Sequence, residues 1–184
     1  WKTLGQPILK SLPQILLQIR KLYDIILVTI TIIISKEELF MNTNVLRNLS
    51  YGLYVISSLD GERPTGCIAN SVMQITSSPA TVALSMNHDN YTNSCIAKSG
   101  KFAVSILSEE SDPSLIGHFG FQSGRDVDKF DSVKSAVREG LSVIEDSCGY
   151  IVCKVIDKME TSTHTVFLGE IIDADEIGKD PAMT

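Results

Sequence analysis

Three polar stretches of the sequence carry side chains that could bind a ligand. The first is CIANSVMQITSSP (residues 67–79), which has the β-branched, apolar composition of a strand but is interrupted by polar residues. Polar groups cost free energy to bury unless a partner bonds them. Two interpretations stay open: a half-exposed strand with Asn70 and Gln74 facing water, or a strand whose polar groups face a ligand.

The second stretch, SMNHDNYTNS (residues 85–94), runs from a strand through a polar loop into the start of a helix. A helix N-terminus offers free N–H groups and a dipole that favours an anion. Serine and threonine hydroxyls nearby would add donors, so a phosphate could bind there. The alternative is a capped surface helix that follows a solvated Asn/Asp turn.

The third stretch, GHFGFQSGRDVDKF (residues 117–130), places a histidine among apolar and aromatic residues before a glycine-containing turn. It could lay a ring and an imidazole over a flat ligand. The alternative is a helix end packed on the sheet, followed by a solvated charged face made of Arg125, Asp126, Asp128 and Lys129. Taken alone, His164 at the start of a strand indicates a structural residue, and His88 an exposed one.

Other kinds of site have no support in the sequence. There is no GxSxG or HExxH motif, and Gly117, Gly120 and Gly124 lack the spacing of a dinucleotide-binding loop. The four cysteines form no CxxC pair and have no histidine at zinc-ligand spacing, so we expect no metal site and reduced thiols in a cytoplasmic protein. The net charge of −6 gives no electrostatic footprint for nucleic acid.

The pattern of the chain after residue 40 indicates a mainly β domain. Alternating or β-branched segments predict about seven strands, at residues 51–58, 66–76, 81–86, 101–107, 141–146, 148–160 and 164–174. Helices are predicted at residues 92–100, ending at Gly100, and at residues 111–120, with Asp112 as N-cap. Many short strands with few helices favour a closed antiparallel barrel, since closure removes exposed edges.

The first forty residues differ from the rest. Their net charge is +2, whereas residues 41–184 carry −8, and they contain the most apolar run, IILVTITIII (residues 25–34). Ten apolar residues are too few for a membrane span, which needs about twenty. The β-branched content favours a strand for this run, after a short amphipathic helix over residues 13–26. We expect residues 1–40 to be an extension outside the domain; an added packing element or a membrane contact stay open.

In their order and spacing, five stretches resemble the flavin reductase-like, FMN-binding split-barrel proteins. Within that family the resemblance is to flavoredoxins and to the flavin domain of high-molecular-weight rubredoxins of anaerobes, and it runs from about Leu46 to Met183. The five stretches are LSYGLYVISS, GCIANSVMQITSSPATVALSMNHDNYT, SGKFAVSIL, HFGFQSGRDVDKF and THTVFLGEIIDAD.

The resemblance implies a homodimer of six-stranded antiparallel Greek-key split barrels with a few short helices. FMN would be bound non-covalently near the subunit interface. It would accept hydride from NADH or NADPH and pass electrons to free flavin or to a redox partner such as rubredoxin.

The resemblance also implies roles for particular residues. The strand of the first stretch would lie along the isoalloxazine ring, and the start of the following helix would bind the phosphate. His118 would lie over the open side of the cofactor and His164 near the nicotinamide, which makes these two the predicted catalytic residues. The residues implied to bind the cofactor are Asn70, Ser71, Val72, Gln74, Thr76, Ser85, Asn87, Asn90, Thr92, Asn93 and Phe119.

The sequence departs from the family pattern at two places. Relatives often carry Arg or Lys where this chain has NHDN (residues 87–90), which leaves a phosphate to hydroxyls and the helix dipole. The chain ends at PAMT where relatives usually continue, so residues 41–184 are predicted to be a family domain truncated at its C-terminus. Three functions stay open: an NAD(P)H-dependent flavin reductase, an electron carrier without flavin-reductase turnover, and a flavin-binding module without activity.

Overall fold

A computed structural model describes residues 6–39 and 41–184, including the side chains of residues 16–32 and 41–184. The chain divides into two compact units, with the boundary between Leu49 and Ser50. Each unit is described by itself below.

The first unit contains a long helix, α1 (Gln6–Leu39), and a short 3₁₀ helix (Thr43–Asn48). The strand predicted for residues 25–34 is therefore wrong, because these residues continue α1. Two threonines fit the helix by donating to carbonyl groups four residues earlier, Thr29 to Ile25 and Thr31 to Leu27, both at 2.8 Å. A helix satisfies its own backbone hydrogen bonds, whereas a strand needs a paired neighbour.

The apolar side chains described in α1 are about half exposed. Over the described residues, no helix combines the length and apolarity that crossing a membrane requires.

The second unit is built from nine strands and two helices. Their bounds are β1 (Tyr54–Asp60), β2 (Arg63–Ala69), β3 (Val72–Ser77), β4 (Ala80–Asn87), α2 (Tyr91–Ser99), β5 (Lys101–Ile106), α3 (Ser114–Phe121), β6 (Ser135–Arg138), β7 (Leu141–Ile144), β8 (Gly149–Glu160) and β9 (His164–Glu176). Seven of the strands form one antiparallel sheet in the order β2-β1-β5-β8-β9-β4-β3, and β6 pairs with β7 in a separate hairpin.

The seven-stranded sheet curls around a single main core. Buried side chains from both ends of the strand order pack in one cluster, including Cys67 of β2 and Leu84 of β4, with Phe102 and Phe167 from the strands between them. Residues at opposite ends of an open flat sheet could not meet in this way. Within residues 41–184 the edge strands β2 and β3 form no ladder with each other, so the barrel is split between them.

This architecture confirms the mainly β split-barrel class and corrects two details. The main sheet has seven strands, not six. The single strand predicted for residues 66–76 is two strands, β2 and β3, separated at Asn70 and Ser71. The reason is pairing: β2 ends where its partner β1 begins, with Ala69 opposite Tyr54, and the chain then joins β4 at the other edge of the sheet.

Both predicted helices form, with small shifts at their starts. Helix α2 begins after Asn90, whose side-chain oxygen accepts from the Thr92 N–H at 2.9 Å, and it ends at Gly100 in the left-handed conformation with φ 69°. Helix α3 begins at Ser114, and Pro113 rather than Asp112 occupies the N-cap position. Asp112 still accepts from the Ser114 N–H at 2.8 Å, which orders this start.

Candidate functional site

Side chains from β3, β4 and β9 surround a cavity of about 360 Å³ on the outer face of the sheet. We call it the sheet cleft. It has an apolar wall and three serines, and the residues that line it are Ser50, Tyr51, Ser71, Val72, Met73, Ala83, Ser85 and Val166.

The strand register explains which side chains share this face. Alternate residues of a strand point to the same side of the sheet. Ser85 lies opposite Val166, and two residues further along Asn87 lies opposite His164. Asn87 and His164 therefore lie on the same face of the sheet as the cleft, but they are not among the residues that line it. The His164 ring is half-buried, and its Nδ1 hydrogen bonds to the Thr163 hydroxyl at 2.8 Å.

A second cavity, of about 220 Å³, lies at the start of α2. We call it the helix pocket. Its walls are the turn before α2, the middle of β2, and the end of α3 with the loop that follows. The residues that line it are Gly66, Cys67, Asp89, Asn90, Tyr91, Thr92, Phe119, Gly120, Phe121, Gln122, Ser123 and Gly124.

A buried hydroxyl group beside the helix pocket has no partner. Thr65 is fully buried, and within the described residues its Oγ1 makes no hydrogen bond. Buried polar atoms in native proteins are usually satisfied, so an orphan of this kind needs an explanation. The hydroxyl lies against Gly124, where a Cβ atom would stand 2.1 Å from it. Glycine at this position lets the loop after α3 lie directly on β2.

An ionic network holds that loop in place. Arg63 donates to the Gly124 carbonyl at 2.8 Å and to Asp60 at 3.2 Å, and the Tyr91 hydroxyl donates to Asp60 at 2.6 Å. The hydrogen bond from Tyr91, and then that from Arg63, lowers the pKa of Asp60. The guanidinium of Arg125 stacks over the Tyr91 ring at 5.1 Å. Two strands, the start of α2 and the loop are thereby tied together.

The end of α3 is locked to the segment that follows the loop. His118 Nε2 hydrogen bonds to the Lys129 carbonyl at 3.0 Å, and the Lys129 ammonium donates to the His118 carbonyl. Phe119 is buried, with its ring 5.3 Å from Phe130. Lys129 is fully buried, so the solvated face suggested as the alternative for this segment is wrong at this residue.

Comparison with known proteins identifies the family. The sequence profile described as "Flavin reductase like domain" matches residues 46–183. The chain belongs to the flavin reductase-like family. It is 40% identical over 136 residues to the high molecular weight rubredoxin of Moorella thermoacetica, covering 73% of this chain and 59% of that protein. The chain thus spans about three fifths of that relative's length.

Two further comparisons agree with the flavin reductase-like fold. The ferric-chelate reductase (NAD(P)H) of Archaeoglobus fulgidus is 37% identical over 142 residues, which cover 76% of this chain and 83% of that one. The solved structure of the Streptomyces globisporus C-1027 NADH:FAD oxidoreductase superposes with a TM-score of 0.67 at 28% identity, covering 72% of this chain and 79% of that one.

The structure collects the site residues predicted for this flavin reductase-like chain into two groups. Ser71, Val72 and Ser85 line the sheet cleft, and Asn87 and His164 share its face. The other group lines the helix pocket and consists of Asn90, Thr92 and Phe119.

The remaining predicted residues lie elsewhere or have local partners. Asn70 is exposed and accepts from the Ser71 hydroxyl, Gln74 is exposed on β3, and the Thr76 hydroxyl donates to the Pro79 carbonyl. The Asn93 amide donates to the Met86 carbonyl at 3.0 Å, and His118 uses Nε2 on Lys129. Their roles toward a cofactor stay predictions.

Several lining residues were missed from the sequence. In the sheet cleft these are Tyr51, Met73 and Val166, which read as ordinary apolar positions of strands. In the helix pocket they include Cys67 and Gly124, and Thr65 beside the pocket was missed as well. The contact of Gly124 with β2 depends on how the loop folds back, which no local pattern shows.

The contact between Gly124 and Thr65 generates a stability prediction. Gly124→Ala is expected to lower the free energy of unfolding by about 1–3 kcal/mol, because the added methyl group overlaps the Thr65 hydroxyl. Thr65→Ala in the same chain removes that hydroxyl and is expected to restore part of the loss. Gly117→Ala is the control, since a Cβ there meets nothing within 4 Å. Urea unfolding measures Gly124→Ala, Thr65→Ala, the double variant and Gly117→Ala. Additive losses in the double variant would contradict the contact.

Proposed function

We propose that this protein binds FMN non-covalently, accepts hydride from NADH or NADPH, and passes electrons to free flavin or to a redox partner. It would thus be an NAD(P)H-dependent flavin reductase. The observation that carries the proposal is the pairing of an apolar, serine-edged cleft with a polar pocket at a helix start. Strand β4 and the turn after it connect the two, since Ser85 lines the first and Asn90 the second.

The sheet cleft suits the flat ring of a flavin. Met73, Val166 and Tyr51 supply apolar surface against which a ring could pack. Ser71 and Ser85 could hydrogen bond the polar edge of the ring through their hydroxyl groups. The backbone between them is fixed, because the Ser85 N–H donates to the Ser71 carbonyl at 3.0 Å.

The helix pocket suits the phosphate of FMN. The start of α2 provides the positive end of the helix dipole, while its Thr92 and Asn93 N–H groups already donate to Asn90. Thr92 lines the same pocket, and the orphan hydroxyl of Thr65 lies beside it. The glycines at positions 66, 120 and 124 contribute only backbone to the pocket wall. These residues fit a phosphate, although the one charged residue that lines the pocket is Asp89.

A bound flavin would supply the redox chemistry, since it accepts a hydride and returns electrons one or two at a time. The protein would position the ring and regulate access to it. His164 is held through Nδ1 by Thr163, and within the described residues its Nε2 has no hydrogen-bond partner. That nitrogen could give or take a proton beside the ring. His118 has its Nε2 engaged, so we assign it to holding the loop over the cofactor.

Two copies of the chain are proposed to associate through the outer face of the sheet. Met73 and Met159 are 63% and 60% exposed, and Ile75 and Ile156 about half exposed, although all four lie on strands. Isolated exposed apolar residues are ordinary, but adjoining ones mark interaction surfaces. A second copy on this face would cover the open side of the sheet cleft.

An electron carrier is the second candidate function. The observation that favours it is the identity to a high molecular weight rubredoxin, whose name supports a rubredoxin-type protein as partner. The four cysteines are free, which supports a reducing compartment such as the cytoplasm. We propose that residues 41–184 carry the function and that residues 1–40 are an extension outside it.

The function is tested by flavin absorbance during anaerobic titration. Purified protein is loaded with FMN and titrated with NADH and then with NADPH. We expect the bound flavin to bleach with at least one of them, and excess free FMN to be turned over. Bleaching only after a second redox protein is added would select the electron carrier. Failure to bind FMN would contradict both functions.

The phosphate assignment is tested at the first turn of α2. Thr92→Ala is expected to weaken FMN binding by about 1–3 kcal/mol, because a hydrogen bond to a charged phosphate is lost. Ser94→Ala is the matched control, since its hydroxyl donates to the Tyr91 carbonyl and does not line the pocket. Fluorescence quenching of FMN measures both affinities. An unchanged affinity in Thr92→Ala would refute the assignment.

A further inference from the structure

Lys129 is a buried cation, and within the part of the chain that the structure describes no carboxylate forms an ion pair with it. Its side chain is fully buried, and its ammonium donates to the His118 carbonyl. The ion pairs among the described residues are Arg63–Asp60, His88–Glu160 and Lys158–Glu160, and none of them includes Lys129. Burying an ammonium without a carboxylate is expensive, and buried lysines are rare for that reason.

The ammonium also retains unused hydrogen-bonding capacity. A lysine has three N–H donors, and here one of them has a hydrogen-bond acceptor. The Nζ atom lies 5.5 Å from the centre of the Phe119 ring, a favourable cation–π distance that offsets part of the cost. A carbonyl dipole and a ring face stabilise the charge less well than an anion would.

The position of the charge points to the helix pocket. Phe119, which contacts the ammonium, lines that pocket, and so does Cys67. Burial raises the pKa of the Cys67 thiol, and this rise is opposed by hydrogen bonds with Thr92 and Asn90 and, to a smaller extent, by the positive charge of Lys129. Lys129 therefore lies one layer of side chains behind the wall of the pocket.

We propose that Lys129 supplies the positive charge with which the helix pocket selects a phosphate-bearing flavin over one without phosphate. This inference rests on the proposed function and adds to it a positioning residue that acts through Phe119 and Cys67. It also accounts for the absence of a lining cation: Asp89 lines the pocket, while the guanidinium of Arg63 is paired with Asp60.

The low polarity around Lys129 makes this arrangement effective. A charge interaction that crosses buried side chains is screened far less than one that crosses water. The α2 dipole and Lys129 would act on the same phosphate from two sides of the pocket. A phosphate would in turn provide the negative charge that the ammonium otherwise lacks.

The test compares FMN with riboflavin, which share the ring and the ribityl chain and differ in the phosphate. In Lys129→Met, the Kd for FMN is expected to rise about tenfold or more while the Kd for riboflavin changes little. Lys134→Met is the matched control, since Lys134 is exposed and lies outside the helix pocket. Fluorescence quenching gives both constants, and circular dichroism checks the fold of each variant.

The outcomes of this comparison distinguish a role of Lys129 in phosphate selection from a structural role. An equal loss for both flavins in Lys129→Met would assign the residue a structural role, and no loss for FMN would also overturn the proposal. If the wild-type protein binds neither flavin, the proposed function itself fails. If Lys129→Met does not fold, Lys129→Arg and Lys129→Gln replace it: the first keeps the charge and is expected to keep the FMN preference, and the second is expected to lose it.

Discussion

The gap between the two edge strands of the sheet is the constraint on which the rest of the structure depends. Strand β2 ends at Ala69, opposite the first residue of β1, and after two intervening residues the chain starts β3 at the opposite edge of the sheet. The sheet curls so that both edges contribute to one core, yet within residues 41–184 they are not hydrogen bonded to each other. The helix pocket borders β2 and the sheet cleft borders β3. The two cavities thus border the two edge strands of the sheet.

The elements that position the site could be predicted largely from local patterns. Alternation of apolar residues was sufficient for the strands after residue 80 except β6, which was not predicted. Gly100 marked the end of α2 because its left-handed backbone needs no Cβ. The prediction of a strand at residues 25–34 is wrong because it relied on their β-branched composition. In the structure these residues belong to α1, which extends to Leu39. The break at Asn70 was missed because it depends on strand pairing, which is a tertiary property.

The site residues also divide into those that a local sequence pattern indicates and those that depend on tertiary contacts. The stretch that holds Ser85 and Asn90 stands out in the sequence because polar residues there follow a regular apolar pattern. That these residues bind a cofactor was implied by the family resemblance and stays a prediction. Lys129 could not be identified, because GRDVDKF has the charge pattern of a solvated face. Lys129 is buried because it exchanges hydrogen bonds with His118 and contacts the Phe119 ring. These are tertiary contacts, which the amino-acid composition of the segment does not reveal.

The central claim is that one FMN molecule lies along the split of the barrel, with its ring in the sheet cleft and its phosphate in the helix pocket. A crystal structure of the protein with FMN tests this most directly. We predict electron density for the ring beside Ser71 and Ser85, and for the phosphate within hydrogen-bonding distance of the α2 start at Thr92. A ring or a phosphate bound at any other surface of the protein would contradict the account.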